Sequence, residues 1–388
     1  MTDRRQLAIL ACGHACADSC QGAVPALVPF LVLRGGMDFR ATGVLVLVMS
    51  VASSLLQPLI GARADRSSMA WAAPTGIALG GLGIAALGVM DGFVPRVIAV
   101  AVAGLGVALF HPGGARRATR AAADRPGSGL GMFAVGGSIG FALAPALLTP
   151  SVLAFGLKGT LVALVPALAV AALLTRTHDA PPMTTRQAAP SRLPPRFWLL
   201  ISVSSLRAGA YFGLQAFLAA ALIERLDVGT ATANAALTVL LVAGGFGTYL
   251  GGRLADRYGR RLPSVAGCVV LTIGLLPLAL AAGLSPYALL PCLALMGAGV
   301  GLSTAGLQAS AIEALEPSQA GVAAGLFSTS RYIGSFAGSI ALARLLDHGH
   351  GLTGFHAVFL IAFAGAVVSV LVTMALPARP RSVVAEPA

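Results

Sequence analysis

About twelve times between Leu7 and Leu376 the chain runs through some twenty largely apolar residues before a short polar break. With 57% hydrophobic and only 10% charged residues, against about 25% charged in an ordinary soluble domain, a water-soluble fold could not hide so much apolar surface. Lipid solvates such side chains directly, provided every backbone polar group is satisfied inside a helix or a closed barrel. The runs lack the strict alternation of a barrel strand, so they read as spanning helices. They fall at about 7–33, 42–62, 71–90, 95–112, 129–149, 156–175, 197–222, 231–251, 263–283, 287–311, 321–343 and 353–376, the fifth and sixth nearly merging around Lys158. The first run follows Arg4-Arg5 like a signal peptide, but its length, His14 and Asp18 mark it as a mature helix.

The net charge of +12 does not indicate nucleic acid, because the basic residues lie in short clusters between apolar runs rather than on one face. With the N-terminus placed in the cytoplasm, eighteen of the twenty-six basic residues fall on inner segments and six on outer ones, while Arg207 and Arg331 lie inside spans. That excess predicts cytoplasmic termini. The five cysteines all sit in apolar stretches, where they act as small packing residues. Cys12, Cys16 and Cys20 form a ladder that offers a soft-metal path only as a minor alternative to packing, and no metal is assigned.

The proline- and arginine-rich stretch 176–196 is the one long break between spans. It is expected to be a cytoplasmic linker between a six-helix bundle over 1–175 and a second over 197–388. The halves repeat one another. Gly61-Ala-Arg-Ala-Asp65-Arg66 matches Gly252-Arg-Leu-Ala-Asp256-Arg257 at an offset of 191, Gly104-Leu-Gly106 matches Gly297-Ala-Gly299 at 193, and Phe133 and Ile139-Gly140 match Phe327 and Ile333-Gly334 at 194. Three ordered matches with a slowly drifting offset indicate an internal repeat.

Gly252 to Arg257, followed by Tyr258-Gly259-Arg260-Arg261, sits in the turn after the eighth span. Glycine there lets helices approach, the aspartate can face a helix N-terminus, and the arginines can pair with acids. One such turn reads as a topology signal; two at equivalent places read as a structural latch. This turn resembles the signature between the second and third helices of the major facilitator superfamily, although the first copy has Ser67-Ser68-Met69 in place of the usual glycine and basic pair. Within that superfamily residues 13–145 resemble the fosmidomycin-resistance efflux family. The residues concerned are Gly13-His14, Asp18, Pro25, Pro29, Ser53-Ser54, Gln57-Pro58, Asp65-Arg66, Phe110-His111-Pro112, Arg116 and Gly136-Gly137. Here Gly113 stands where that family usually has an acid after His-Pro, and no arginine occurs in the fourth span where the superfamily commonly has one. The resemblance implies an all-α membrane protein of twelve transmembrane helices in two pseudo-symmetric six-helix bundles, acting in a bacterial inner membrane as a monomer.

His14, Asp18, Gln21 and Pro25 share one face of the first helix. Asp18 is the only acid near mid-membrane, where an uncompensated charge is costly, so it should face water or a basic partner. It is read as a proton carrier with His14, or else as a structural ion pair. Arg207 and Arg331 enter the seventh and eleventh spans at similar depth; they would bind an anion or pair with Asp18, or else tie helices together. Gln21, His111, Ser138, Tyr211, Gln215, Gln308 and Tyr332 are candidate cavity residues. Gly140 and Pro145, within a stretch resembling the superfamily's antiporter motif though Ala144 replaces its glycine, are assigned to conformational exchange with Asp65, Arg66, Gly252, Asp256, Arg257, Arg260 and Glu313.

These features predict a proton-coupled exporter of a small drug or toxic metabolite, for which the basic residues suggest an anionic group. Proton-coupled uptake of an anionic nutrient is the alternative, and a transporter-shaped sensor a weaker one. An enzyme is not expected: no zinc-binding His-Glu-x-x-His, paired aspartates or accompanying nucleophile is present. No nucleotide-binding loop occurs, so a proton gradient rather than a cofactor or ATP would supply the energy.

Overall fold

The structure is a computed structural model that describes residues 3–121, 126–177, 193–226, 228–280, 285–315, 320–347 and 351–376. Among these residues every regular element is helical: α1 (Arg4–Leu33), α2 (Phe39–Leu55), α3 (Gln57–Arg66), α4 (Ala72–Val89), α5 (Phe93–Ala121), α6 (Pro126–Phe155), a 3₁₀ segment (Gly156–Ala163), α7 (Leu164–Leu174), α8 (Pro195–Leu226), α9 (Thr230–Tyr258), α10 (Arg261–Leu280), α11 (Pro286–Ile312), α12 (Ala320–Asp347) and α13 (Gly351–Met374). Nine described segments are long and apolar enough to cross a membrane. One of them, Val135–Leu174, has 40 residues, about twice what a hydrocarbon core of about 30 Å accepts at about 1.5 Å per residue. The chain accordingly reverses inside it. Gly156 takes φ +63°, a value that favours glycine, and Ser151 Oγ donates across the reversal to the Gly159 carbonyl at 2.8 Å. The sixth crossing therefore begins as 3₁₀ helix.

The second crossing is broken at Leu56, because Pro58 lacks an N–H and its ring crowds the preceding turn; the Gln57 amide donates to the Ser53 carbonyl at 2.5 Å. With α2 joined to α3, and the 3₁₀ segment to α7, the described helices number twelve in chain order. Most of the linker 176–196 lies outside the described residues.

The repeat in sequence is a repeat in packing. α1 packs on α6 as α8 packs on α12, and α4 on α5 as α10 on α11. A Cβ on Gly140 would overlap the Ala15 carbonyl of α1, and one on its counterpart Gly334 would overlap the Ser205 carbonyl of α8. Glycine at these two positions lets the backbones touch.

Among the described residues, the apolar clusters that join the halves lie toward one end. Val24, Val28, Leu45 and Leu148 of the first half form one apolar cluster with Phe217, Ala220 and Leu342 of the second. Beside it buried Asn234 donates to the Ala26 carbonyl at 3.2 Å and to Thr149 Oγ1 at 2.8 Å. At the opposite end, where α1 and α8 begin, the clusters stay within one half: Leu7, Leu10, Phe110, Phe133 and Leu174 in the first, Phe197, Leu200, Leu307 and Phe327 in the second. The space between the halves thus opens toward the face carrying the start of α1.

Candidate functional site

A cavity of about 400 Å³ lies between the halves, within the usual size range of small-molecule sites. Gln21, His111, Ser138, Tyr211, Gln215, Gln308 and Tyr332 all line it, as do His14, Asp18 and Arg331. The rest of the wall is mostly apolar or hydroxylic, including Val24, Phe212, Ser53, Ser54 and Ser335.

On the first-half wall three side chains converge. The i,i+4 spacing on α1 brings His14 Nε2 to 3.4 Å from Asp18 Oδ2. His111, late in α5, places its Nε2 3.2 Å from Asp18 Oδ1. Each ring is held from behind: His14 Nδ1 donates to the Phe133 carbonyl of α6 at 2.7 Å, and His111 Nδ1 to the Val107 carbonyl at 2.9 Å. His14 also stacks on Phe133 with ring centroids 4.0 Å apart. Asp18 is 8% exposed. Gly137 on α6 makes the cluster fit, since a Cβ there would lie 2.5 Å from Asp18 Oδ2 and 2.7 Å from His14 Nε2. The three ligand atoms lie within 4.8 Å of one another, the one such grouping of His, Cys, Asp and Glu found among the described residues.

The arginines separate. Arg331 lies on the cavity wall and forms no ion pair with Asp18 among the described residues. Arg207 is 3% exposed and does not line the cavity. Its guanidinium donates to the Val300 carbonyl at 2.6 Å, Ser303 Oγ at 2.5 Å and Thr304 Oγ1 at 3.2 Å. Of the alternatives read for Arg207, pairing with Asp18 is not seen, because both terminal guanidinium nitrogens bond to α11; this arginine ties α8 to α11. Asp18 pairs with neither arginine among the described residues, and two imidazoles stand beside it instead. His111 was read from sequence only as a wall residue. The span read from sequence ended at 112, one residue past His111; α5 instead runs on to Ala121, which brings His111 to the depth of Asp18.

The two charged turns are described in part. Asp65 and Asp256 lie on α3 and α9 and Arg66 ends α3, but their side chains lie outside the described residues. Arg260 Nε donates to Glu313 Oε1 at 3.0 Å, joining the turn after α9 to the end of α11. Arg257 sits over the Tyr258 ring, 5.2 Å from its centroid. One expectation is corrected: nothing lies within 4 Å of the Cβ position of Gly252, and the close helix approach falls one residue earlier, where a Cβ on Gly251 would overlap the Leu302 carbonyl. The motif's second glycine, Gly259, has φ +86°, which explains a glycine there; the first copy instead leaves α3 through Ser67 in extended backbone at φ −153°. Pro145 lies inside α6, beyond the Gly140 contact with α1. Of the cysteine ladder, Cys16 and Cys20 are buried in apolar packing.

The Major Facilitator Superfamily model matches residues 8–339. The chain is 28% identical over 365 residues to the MFS-type transporter YfnC of Bacillus subtilis strain 168, covering 88% of this chain and 86% of YfnC. It is 26% identical over 358 residues to the fosmidomycin resistance protein of Escherichia coli strain K12, again covering 88% and 86%. Among solved structures, a bacterial homologue of the human lysosomal transporter Spinster in an inward-facing, occupied conformation aligns with TM-score 0.74 at 15% identity, over 96% of this chain and 97% of that one.

Proposed function

The chain belongs to the major facilitator superfamily, and on that premise we propose that it is a proton-coupled exporter of a small drug or toxic metabolite bearing an anionic group. It is a multi-pass membrane protein of a family of small-molecule transporters rather than enzymes. The observation that carries the reading is the cavity, which has an acid held between two imidazoles on one wall and the guanidinium of Arg331 on the rest of its lining. Asp18 and its histidines take the proton, and Arg331 takes the anionic group, aided by Gln308 and Tyr332. Gly140, Pro145 and the two charged turns serve the exchange between conformations. The basic residues favour cytoplasmic termini in a bacterial inner membrane; in that orientation the present cavity faces the cytoplasm, the side from which an exporter loads.

Two lines support export. One is the likeness to a drug-resistance protein. The other is that the uptake alternative relied on Asp18 masking an arginine, and Asp18 is instead paired with His14 and His111. Exchange further requires that cargo and proton exclude one another. An anion at Arg331 alone would not exclude a proton, so the cargo must also present a hydrogen-bond donor to Asp18. The test is a resistance screen of cells expressing the chain, with Asp18→Asn as control, followed by transport of each hit into proteoliposomes under an imposed pH gradient. Export driven by the gradient, with proton release when cargo binds, is expected. Proton uptake on binding, or transport indifferent to the gradient, would refute the assignment.

A further inference from the structure

The hydrogen bonds behind the two imidazoles fix where their protons sit. A backbone carbonyl can only accept, so the Nδ1 atoms of His14 and His111, bonded to the Phe133 and Val107 carbonyls at 2.7 and 2.9 Å, each carry a hydrogen. In a neutral ring Nε2 is then a bare lone pair. Both Nε2 atoms face Asp18, and they face different oxygens of it, at 3.4 and 3.2 Å. Lone pair against carboxylate oxygen is a repulsion, and each contact becomes a hydrogen bond only when a proton lies in it.

We infer that His14, Asp18 and His111 form a single two-proton unit, in which each imidazole–carboxylate contact holds one proton. Empty, the unit carries a charge of minus one; with one proton it is neutral; with two it carries plus one, two imidazoliums sharing one carboxylate. The His14 contact stays within α1, whereas the His111 contact joins α1 to α5. Emptying the unit therefore turns one attraction between helices into a repulsion, and that links proton occupancy to the packing of the first half. The charged or titratable groups that share the lining are Arg331 and Tyr332 from α12 and Tyr211 from α8. Among its described residues α6 presents the Phe133 carbonyl and ring and Gly137 to the cluster, none of them titratable, and α2 presents serine hydroxyls to the cavity. A filled unit spends both Asp18 oxygens on imidazole N–H groups, so proton loading and the cargo's donor group compete for the same carboxylate. The use of the unit in transport rests on the proton-coupled reading above; its proton count does not.

The experiment is nitrogen NMR of the full chain in lipid with ¹⁵N-histidine. The sequence has six histidines, and His14→Gln and His111→Gln assign the two signals. At high pH both rings should be neutral with the hydrogen on Nδ1, the tautomer a free imidazole disfavours. Acidification should add two protons in coupled steps, and Asp18→Asn should uncouple them. A neutral ring with its hydrogen on Nε2, uptake of one proton only, or shifts of metal-ligated nitrogens that vanish with a chelator would each overturn the inference. Two coupled protons in a protein whose transport ignores a pH gradient would uphold the unit and remove the proposed function instead.

Discussion

Two adjacent glycines on α6 should fail in opposite ways when given a methyl group. At Gly137 an added Cβ meets Asp18 Oδ2 at 2.5 Å and His14 Nε2 at 2.7 Å. Ordinary contact begins at 3.4 Å, so the carboxylate must retreat by about 0.9 Å. Both obstacles are side-chain ends, so they can move while the α1–α6 interface stays as it is. A displacement near 1 Å at reacting groups costs about 100-fold in rate. Gly137→Ala should therefore leave a folded protein whose proton-coupled export falls by about two orders of magnitude. At Gly136 the added Cβ overlaps the backbone carbonyl of Ala11, which cannot move without shifting α1. Gly136→Ala should then carry an overpacking cost of about 1–3 kcal/mol.

The assay pairs thermal unfolding in detergent with export by proteoliposomes at matched protein content. Gly137→Ala should melt close to wild type and transport poorly; Gly136→Ala should melt lower, with any surviving folded fraction retaining its turnover. Near-normal export by Gly137→Ala would show that the cluster tolerates displacement, and the coupling role of Asp18 would lose its geometric basis. Equal melting loss in both variants would show instead that Gly137 serves only helix packing.

The fold was legible because lipid demands long apolar helices, and because Gly140 and Gly334 mark equivalent backbone contacts that surface as a sequence match. The cavity was legible from helix periodicity. Gln21 and Asp18 share a face of α1 with His14, and all the nominated wall residues lie on the lining. What was not legible is which charge meets which. Asp18 and Arg331 are both cavity groups, and opposite charge made their pairing the natural expectation. Pairing depends on azimuth and depth across helices distant in sequence, and His111 reaches Asp18 from α5 while Arg331 does not. The same limit hid Arg207, whose partners on α11 are a carbonyl and two hydroxyls that no charge pattern reveals, and Asn234, a neutral residue whose two bonds cross between halves. In the second repeat Arg331 stands where the first has Gly137: one repeat keeps that position empty to admit the acid–imidazole cluster, the other fills it with a cation.

Asp18→Asn should abolish gradient-driven export while the protein still folds, because the amide keeps the shape but can neither take a proton nor hold the histidines' charge; concentrative export by the variant in proteoliposomes would refute this. Asn234→Ala removes two cross-half hydrogen bonds, each worth about 0.5–1.5 kcal/mol. Spin-label distances across the two faces should then shift away from the conformation open at the start of α1, and an unchanged distribution would deny these two bonds that role. Arg331 carries the last prediction. It forms no ion pair with Asp18 among the described residues, so removing its charge should leave the proton unit's NMR signature in place and act on cargo alone. A charged hydrogen bond lost in Arg331→Gln, about 1.5–3 kcal/mol, corresponds to about a 10- to 150-fold weaker Kd for an anionic cargo. Arg331→Lys keeps the charge but not the planar fork, so it should fall between Gln and wild type. If both variants bind and export such a cargo like wild type, Arg331 is a wall residue only, and the anionic group must be sought elsewhere on the cargo's path.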